Sequence, residues 1–433
     1  MYKKILVIIP FLLNAQNFND IRLHIQNSLK YKLAQKRVDI LKERLKAIKA
    51  KNYGSLDLNY NVLHFFNQPV MKLTSKTPVA VASDGVHLVY KTFNSELPMS
   101  DKNHFTMSLV YSYPIFTGFA ISNSIKKAEI ELIKEKLNVQ NTKRVLLLNA
   151  AELYSLIYTL KSQIKALLAA KEALLSAKEK ANALYKEGLI NKSNLDEIDA
   201  KYYEIVADIA NINSQKKAAL NSLSYLINKK ITDIDDIYIL KKLKFTPDFQ
   251  KRPDIKAIKE SLKISSIDVK LAKSKLYPQI VFQAGLKREG DNLILTKNDY
   301  QNIDKSYSAL AISYNLFDGG EKKAQIESAK LAKISALIFY NDYLKDVKTK
   351  YYNDLQRYNA LFFRLKSAKK ALRARESYYE YIKAKFEEGL ADSTDLNDAI
   401  AKLAEARANV DAIRSEIFFL SVKLKLNGGN YEF

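Results

Sequence analysis

Residues 104–119 read HFTMSLVYSYPIFTGF. Phe105, Met107, Leu109, Tyr111, Tyr113 and Ile115 alternate with Thr106, Ser108, Val110 and Ser112. Side chains of an extended chain point to opposite faces in turn, so this spacing predicts a strand with one apolar face. Residues 314–320, YNLFDGG, repeat its end: Tyr113 and Tyr314, Phe116 and Phe317, and Gly118 and Gly319 are each 201 residues apart. The same offset separates Gly188 in YKEGLINKSNLDEID (185–199) from Gly389 in FEEGLADSTDLNDAI (386–400). Loops drift in length between relatives, so one offset kept across several of them marks a duplication. The unit, about 200 residues long, is too large for a solenoid repeat.

Three further stretches alternate. Leu56, Leu58, Tyr60 and Val62 oppose Asp57, Asn59 and Asn61. Ile280, Phe282, Ala284 and Leu286 oppose Gln279, Gln283 and Lys287, and Leu310, Ile312, Tyr314 and Leu316 oppose Ala309, Ala311, Ser313 and Asn315. The predicted strands are 53–66, 104–117, 278–289 and 305–317. After each strand pair the period changes. Leu153, Ile157, Leu160, Ile164 and Leu167 step by four and three, as do Tyr358, Leu361, Leu365, Ala368, Leu372, Arg375, Tyr379, Ile382 and Phe386. That is the seam of a coiled coil. It predicts long helices over 119–186 and 320–387, each roughly 100 Å at about 1.5 Å per residue. Shorter helices follow the glycine breaks, over 194–228 and 394–426. The chain thus divides into a first repeat, 16–228, a connecting segment, 229–252, a second repeat, 253–427, and a tail, 428–433. Each repeat opens on a helix, and the loops 67–103 and 290–303 join its strands.

Gly118, Gly319 and Gly320 fall where strand turns into helix, a place for positive φ or close approach. Pro114 is read at a strand end, where a missing N–H is tolerated.

The chain has 433 residues, a formal net charge of +23 and no cysteine. No disulfide framework, thiolate metal site or lipid-bearing N-terminal cysteine is therefore available. Acids are interleaved with the lysines, and no finger, RNP or basic-zipper pattern occurs, so the charge reads as a solvated surface and not a nucleic-acid site. His24, His64, His87 and His104 have no zinc spacing, and there is no phosphate-binding glycine loop or catalytic constellation. We expect no enzyme, no metal and no cofactor. Residues 1–15 pair Lys3 and Lys4 with the apolar run Ile5–Leu13 and end at Ala15, the pattern of a secretory signal peptide. No later run of about 20 apolar residues predicts a membrane-spanning helix.

Strands of about ten residues, apolar on one side and polar on the other with tyrosines at the ends, suit a membrane barrel. Four cannot close one, because small barrels need about eight, and an open edge in lipid strands its backbone groups. Several chains must share the barrel.

With these motifs in this order, the sequence resembles the TolC family of outer-membrane efflux proteins. The resemblance rests on YPIFTG and YNLFDGG, RPDI at 252–255, YPQI at 277–280 and the two glycine breaks, and covers about residues 18–427. It implies a mainly α fold with a β-barrel part. Three chains would share a 12-stranded barrel in outer-membrane lipid, continued by a coiled-coil helical barrel through the periplasm. It further implies an equatorial belt over 229–252 and a homotrimeric duct served by a periplasmic adaptor and an inner-membrane pump. The cargo would be drugs or other small toxic compounds. A type I protein-secretion duct is the alternative within the class, and a coiled-coil scaffold without a pore the alternative outside it.

The resemblance also places the turns at Gly188 and Gly389 at the periplasmic tip and makes Asp395 and Asp398 the lining of its narrowest ring. Rings of like charge draw cations. Taken alone, the two acids are better explained as partners of a helix dipole after the capping residues Asp392, Ser393 and Thr394, and it is the repeated junction and the family match that favour the ring. The first repeat has Asn194 and Glu197 at the matching positions. Some family members lock the tip with an arginine after the second glycine and an acid after the first. Here Ala391 and Asn194 stand there, so that lock is absent or rebuilt, with Lys192 as a candidate cation.

Overall fold

The computed structural model describes residues 17–237, 242–244 and 246–431. The leader read over 1–15, part of segment 229–252 and the end of the tail lie outside the described residues. In chain order the elements are α1 Phe18–His24, α2 Leu29–Ala50, β1 Ser55–His64, β2 Val70–Val81, β3 Leu88–Pro98 and β4 Asn103–Thr117. Then come α3 Ala120–Lys186, α4 Lys192–Ile227, α5 Pro253–Ser274, β5 Gln279–Gly290, β6 Tyr307–Ser313, α6 Glu321–Glu387 and α7 Ser393–Asn427.

Two compact units form. One takes the described residues of Met1–Ile40, Glu131–Leu262 and Ser335–Phe433, the other Leu41–Ile130 and Lys263–Ile334. Each draws on both repeats, so the halves 16–228 and 253–427 are not themselves the compact units. The reason is physical: a single repeat cannot cover its own apolar faces. β4 of the first repeat is hydrogen-bonded to β5 of the second, and α3 and α4 share a core with α6 and α7.

In the strand-bearing unit, four antiparallel strands run in the order β1-β4-β5-β6. Leu58 faces Leu109, which faces Leu286, so the apolar rows align across strands. Gly285 pairs with Tyr307, and a Cβ on it would sit 2.6 Å from the tyrosine ring. Pro114 is not at a strand end. It lies inside β4 where the register slips between Pro114 and Phe116, a bulge that leaves a ladder position without need of an N–H. β6 is shorter than the strand read over 305–317. Residues 314–317 leave the ladder, and Asp318 turns its carboxylate to the backbone N–H groups of Gly320 and Lys322 at the start of α6. Gly118, at φ 60°, has a second constraint, since a Cβ there would lie 2.3 Å from the Ser274 carbonyl oxygen.

The loop read over 67–103 is itself structured. It contains the hairpin β2–β3, from Val70 opposite Pro98 to Val81 opposite Leu88. Its alternation was hidden by Lys72, Lys76, Lys91 and Glu96 among the apolar residues.

The helical unit has three apolar cores. Phe18, Ile21 and Ile25 pack with Ile157 of α3 and with Leu223 and Ile227 of α4. Near the glycine breaks, Leu174 and Ala181 of α3 meet Ile198, Phe386 and Ile400. Tyr358 and Leu361 of α6 meet Ile413 and Ile417 of α7. Full burial of each large aliphatic side chain is worth about 1.5–3 kcal/mol. The α6 seam read from Tyr358 to Phe386 is largely the buried one, although Arg375 is exposed. On α3 the seam drifts. Ala166, Ala170, Ala177 and Ala181 are buried where the leucine spacing pointed to Ile164 and Leu167. A straight helix advances 3.6 residues per turn against a 3.5-residue pattern, and the facing stripe rotates along it.

Among the described residues of the helical unit, charge is buried at one cluster, which explains the RPDI sequence. Pro253 opens α5, where its missing N–H costs nothing. Arg252 donates to both Asp254 oxygens, at 3.1 and 2.6 Å, and Arg144 to Asp254 Oδ2 at 3.1 Å. The Tyr343 hydroxyl donates to the same oxygen at 2.9 Å, and Arg144 donates to Asn427 Oδ1 at 2.7 Å. Four helices, α3, α5, α6 and α7, are thereby tied to one carboxylate. Burial opposes its ionisation, but the bonds from Arg252 and the charges of Arg144 and Arg252 hold its pKa down at about 2.

Asp254→Asn should leave two buried guanidinium groups without their counter-charge and cost about 3–5 kcal/mol, read as a lower thermal midpoint. The wild-type contribution is fully present above about pH 4, the unfolded aspartate value, and is lost as pH falls toward 2. The variant should lose less stability than wild type across that window.

Candidate channel lining and tip

The four-stranded sheet is a wall with two chemically different sides. Leu56, Leu58, Leu286, Leu310 and Ile312 lie on one side and are 58–65% exposed. Apolar side chains this open to water, in aligned rows, suit a lipid contact. The other side carries Asp57, Asn59, Asn61, Thr106, Ser108 and Gln283. At its far end the buried Glu289 carboxylate is gripped by Lys287 and Lys305, with His104 Nε2 at 3.8 Å. β1 and β6 each have one free edge. Gly118, Gly319 and Gly320 lie where the chain leaves sheet for helix, and Pro114 sits at the bulge inside β4 that precedes Gly118.

In the helical unit the two glycine breaks are matching turns, with Gly188 at φ 76° and Gly389 at φ 73°. Lys192 is the exposed first residue of α4. Asp392 caps α7, its Oδ1 accepting from the Asp395 N–H at 2.8 Å. Leu396, Asn397, Ala399 and Ile400 are buried, leaving Asp395 and Asp398 on the open side of α7. Asp398 pairs with Lys402, one turn on, at 2.6 Å. Asn397 is buried, and its Oδ1 has no hydrogen-bond partner among the described residues.

The turns are joined by other residues. Glu197 accepts from Ser393 Oγ at 2.8 Å and from Thr394 Oγ1 at 3.1 Å, and Asn194 Oδ1 accepts from Ser393 at 3.3 Å. Structure therefore brings Asn194 and Glu197 to the start of α7 and leaves Asp395, Asp398 and Lys192 outside that contact. Ser393 and Thr394 were read only as capping residues. No spacing in the sequence signals this second role, because the contact crosses from one repeat to the other. Among the described residues, Asp101, Asp291 and Asp299 form the one carboxylate group with oxygens within 4.8 Å of one another, and Lys297 already pairs with Asp299 at 2.9 Å.

The family described as OEP, outer membrane efflux protein, matches residues 90–229 and 249–417. The chain belongs to that family, and its place is the outer membrane. No curated protein sequence matches the chain. Solved structures share the fold. The outer membrane protein VceC of Vibrio cholerae is 18% identical, with a TM-score of 0.75 over 96% of this chain and 97% of that one. The outer membrane channel CmeC of Campylobacter jejuni is 16% identical, with a TM-score of 0.76 over 95% and 85%. CusC, described in terms of transmembrane channel formation, is 14% identical, with a TM-score of 0.77 over 99% of both chains.

Glu197→Ala should free Ser393 and Thr394 and loosen both turns. Amide exchange at residues 188–195 and 389–396 should speed about three- to tenfold, a local loss of about 0.5–1.5 kcal/mol. Glu204→Ala, which breaks the 2.8 Å pair with Lys201, should not have this effect.

Proposed function

We propose that this member of the outer membrane efflux protein family is the exit duct of a tripartite efflux system. It passively exports drugs or other small toxic compounds delivered by an inner-membrane pump and a periplasmic adaptor. The observation that carries the reading is the open sheet: an exposed apolar side, a polar side and unpaired edges on β1 and β6. In lipid those edges must be paired, and closure is the only lasting way to pair them. β6 of one copy against β1 of the next, three times over, gives a 12-stranded barrel with the polar side inward. The duct is a homotrimer, its helices run into the periplasm, and segment 229–252 forms their belt.

Asp395 and Asp398 then face the pore as two rings of three carboxylates. Their position on the open side of α7 supports this assignment. The adaptor has a surface suited to it in a groove of about 560 Å³ between α3 and α6, floored by α7. Lys165, Lys369, Arg373, Arg407 and Arg414 line it against Glu376 and Asp411, so a helix with an acidic face fits.

Mass measurement in detergent should give a trimer, and a stable conducting monomer would overturn the reading. In planar bilayers, the Asp395→Ala/Asp398→Ala double variant should conduct with reduced cation selectivity and weaker block by multivalent cations. Its thermal midpoint should barely move, because exposed helix-start acids contribute only about 0.3–1 kcal/mol each. A normal trimer with unchanged selectivity and block would return both aspartates to the role of dipole partners.

A further inference from the structure

We propose that the β2–β3 hairpins of three copies pack against one another as a cap over the outer mouth of the duct, an inference that rests on the trimeric reading above. The hairpin prolongs the wall strands. Phe65 N–H donates to the Lys102 carbonyl at 2.8 Å and Met99 N–H to the Pro69 carbonyl at 2.8 Å, carrying the β1–β4 ladder into β2–β3 across a short irregularity. β1 already supplies ten residues, enough to cross the apolar band of an outer membrane. Residues 70–98 therefore stand beyond the lipid, in water.

Water is a poor environment for this hairpin. Met71, Leu73, Phe93 and Leu97 share one face and are 41–49% exposed. A two-stranded ribbon with one apolar face is marginal alone and needs a cover. The opposite face has its polar groups satisfied internally, with Lys72 to Glu96 at 3.1 Å and Thr74 Oγ1 to Asn94 at 2.9 Å. Toward the turn, Val79, Val81, Leu88 and Tyr90 are exposed too, so the distal end is apolar on both faces. The apolar face also carries Ser75, Ser95 and, toward the turn, Lys91, whose ammonium lies over the Phe93 ring at 5.6 Å. The partner must therefore match the apolar strip of Met71, Leu73 and Leu97 and leave the Lys91 ammonium in water.

A second copy of the same strip has that chemistry and is held close by. β2 continues β1, the strand whose free edge meets the next copy in a shared barrel, so each hairpin rises at a junction between copies. The dimensions also fit. Twelve strands about 4.8 Å apart, tilted by about 40°, enclose a mouth about 24 Å across. The 12 residues of β2 reach about 40 Å, enough to lean over the axis. Three strips meeting there would exclude water from one another and obstruct the opening.

The absence of native cysteine makes a direct test clean. Leu73→Cys and Phe93→Cys on the apolar face, and Lys76→Cys and Thr92→Cys on the other, are oxidised as intact protein in outer membranes and in detergent. Covalent joining of copies in the first pair and not in the second is the expected result. Replacing 70–98 by a short glycine-serine turn should raise single-channel conductance with the trimer intact. If the trimer is intact but the first pair remains unjoined, or joins no better than the second, the cap is wrong. Quenching of a Phe93→Cys label by lipid-bound nitroxide, with no joining, would place the strip on the membrane and likewise overturn it. Loss of the trimer in wild type would remove the parent reading as well, and its mass identifies that case.

Discussion

Everything in this chain follows from a backbone that cannot be left unpaired. A four-stranded sheet with an apolar side belongs in lipid, and lipid offers no hydrogen bonds to the free edges of β1 and β6. A water-soluble sheet could blunt such edges with charge or cover them with a loop. Here the edge strand β1 shows Leu56, Leu58 and Val62 to the outside. The remaining solution is more strands, and among the described residues the chain's other two, β2 and β3, pair only with each other. Duplication gives two strand pairs, and β4 against β5 joins them. On the proposed trimeric reading, further copies supply the rest of the closure.

How much of this was legible depended on what generated the signal. The barrel strands were legible because two solvents act on them: lipid selects every second residue, and the polar side selects the others. The long helices were legible because their seams bury against one another over many turns. The β2–β3 hairpin was not, since neither face has a continuous solvent boundary and its lysines interrupt the pattern. The drift of the α3 seam onto Ala166, Ala170 and Ala177 was hidden for a different reason. Alanine packs closely when a neighbouring helix approaches, yet contributes little to a periodicity dominated by leucine. The compact units were hidden because they mix the repeats, and mixing is a property of tertiary contacts.

Charge shows a similar division. Most of the lysine excess is solvated or sits in exposed pairs such as Lys36 with Asp39 and Lys350 with Asp346, which contribute little each. The Arg144–Arg252–Asp254 cluster is different. Two cations and one anion are withdrawn from water, and the remaining donors reach Asn427 and its carbonyl. Such a cluster is costly to break and adds little over an apolar core of the same shape. What it supplies is direction. α3, α5 and α6 meet at a single carboxylate, and α7 joins them through Asn427, which accepts from both arginines. These bonds fix the rotation of four helices, a need that greasy contacts between long smooth helices do not meet.

The two glycine turns show how one repeated sequence takes up two arrangements. Glu197 and Asp398 are equivalent under the 201-residue offset, as are Lys201 and Lys402. In the second repeat Asp398 pairs within its own helix, with Lys402. In the first, Glu197 turns to the hydroxyls of Ser393 and Thr394, and Lys201 takes Glu204 instead. The difference traces to the donors across the turn. Ser393 and Thr394 correspond to Lys192 and Ser193, so the second repeat presents two hydroxyls where the first presents a long, flexible cation and one hydroxyl. Short hydroxyl side chains at a helix start lose little rotamer freedom when they bind a carboxylate, whereas an exposed lysine loses much. The acid facing two hydroxyls was therefore fixed as a link between turns. Asp398 stays on the open side of α7, paired with Lys402 of its own helix.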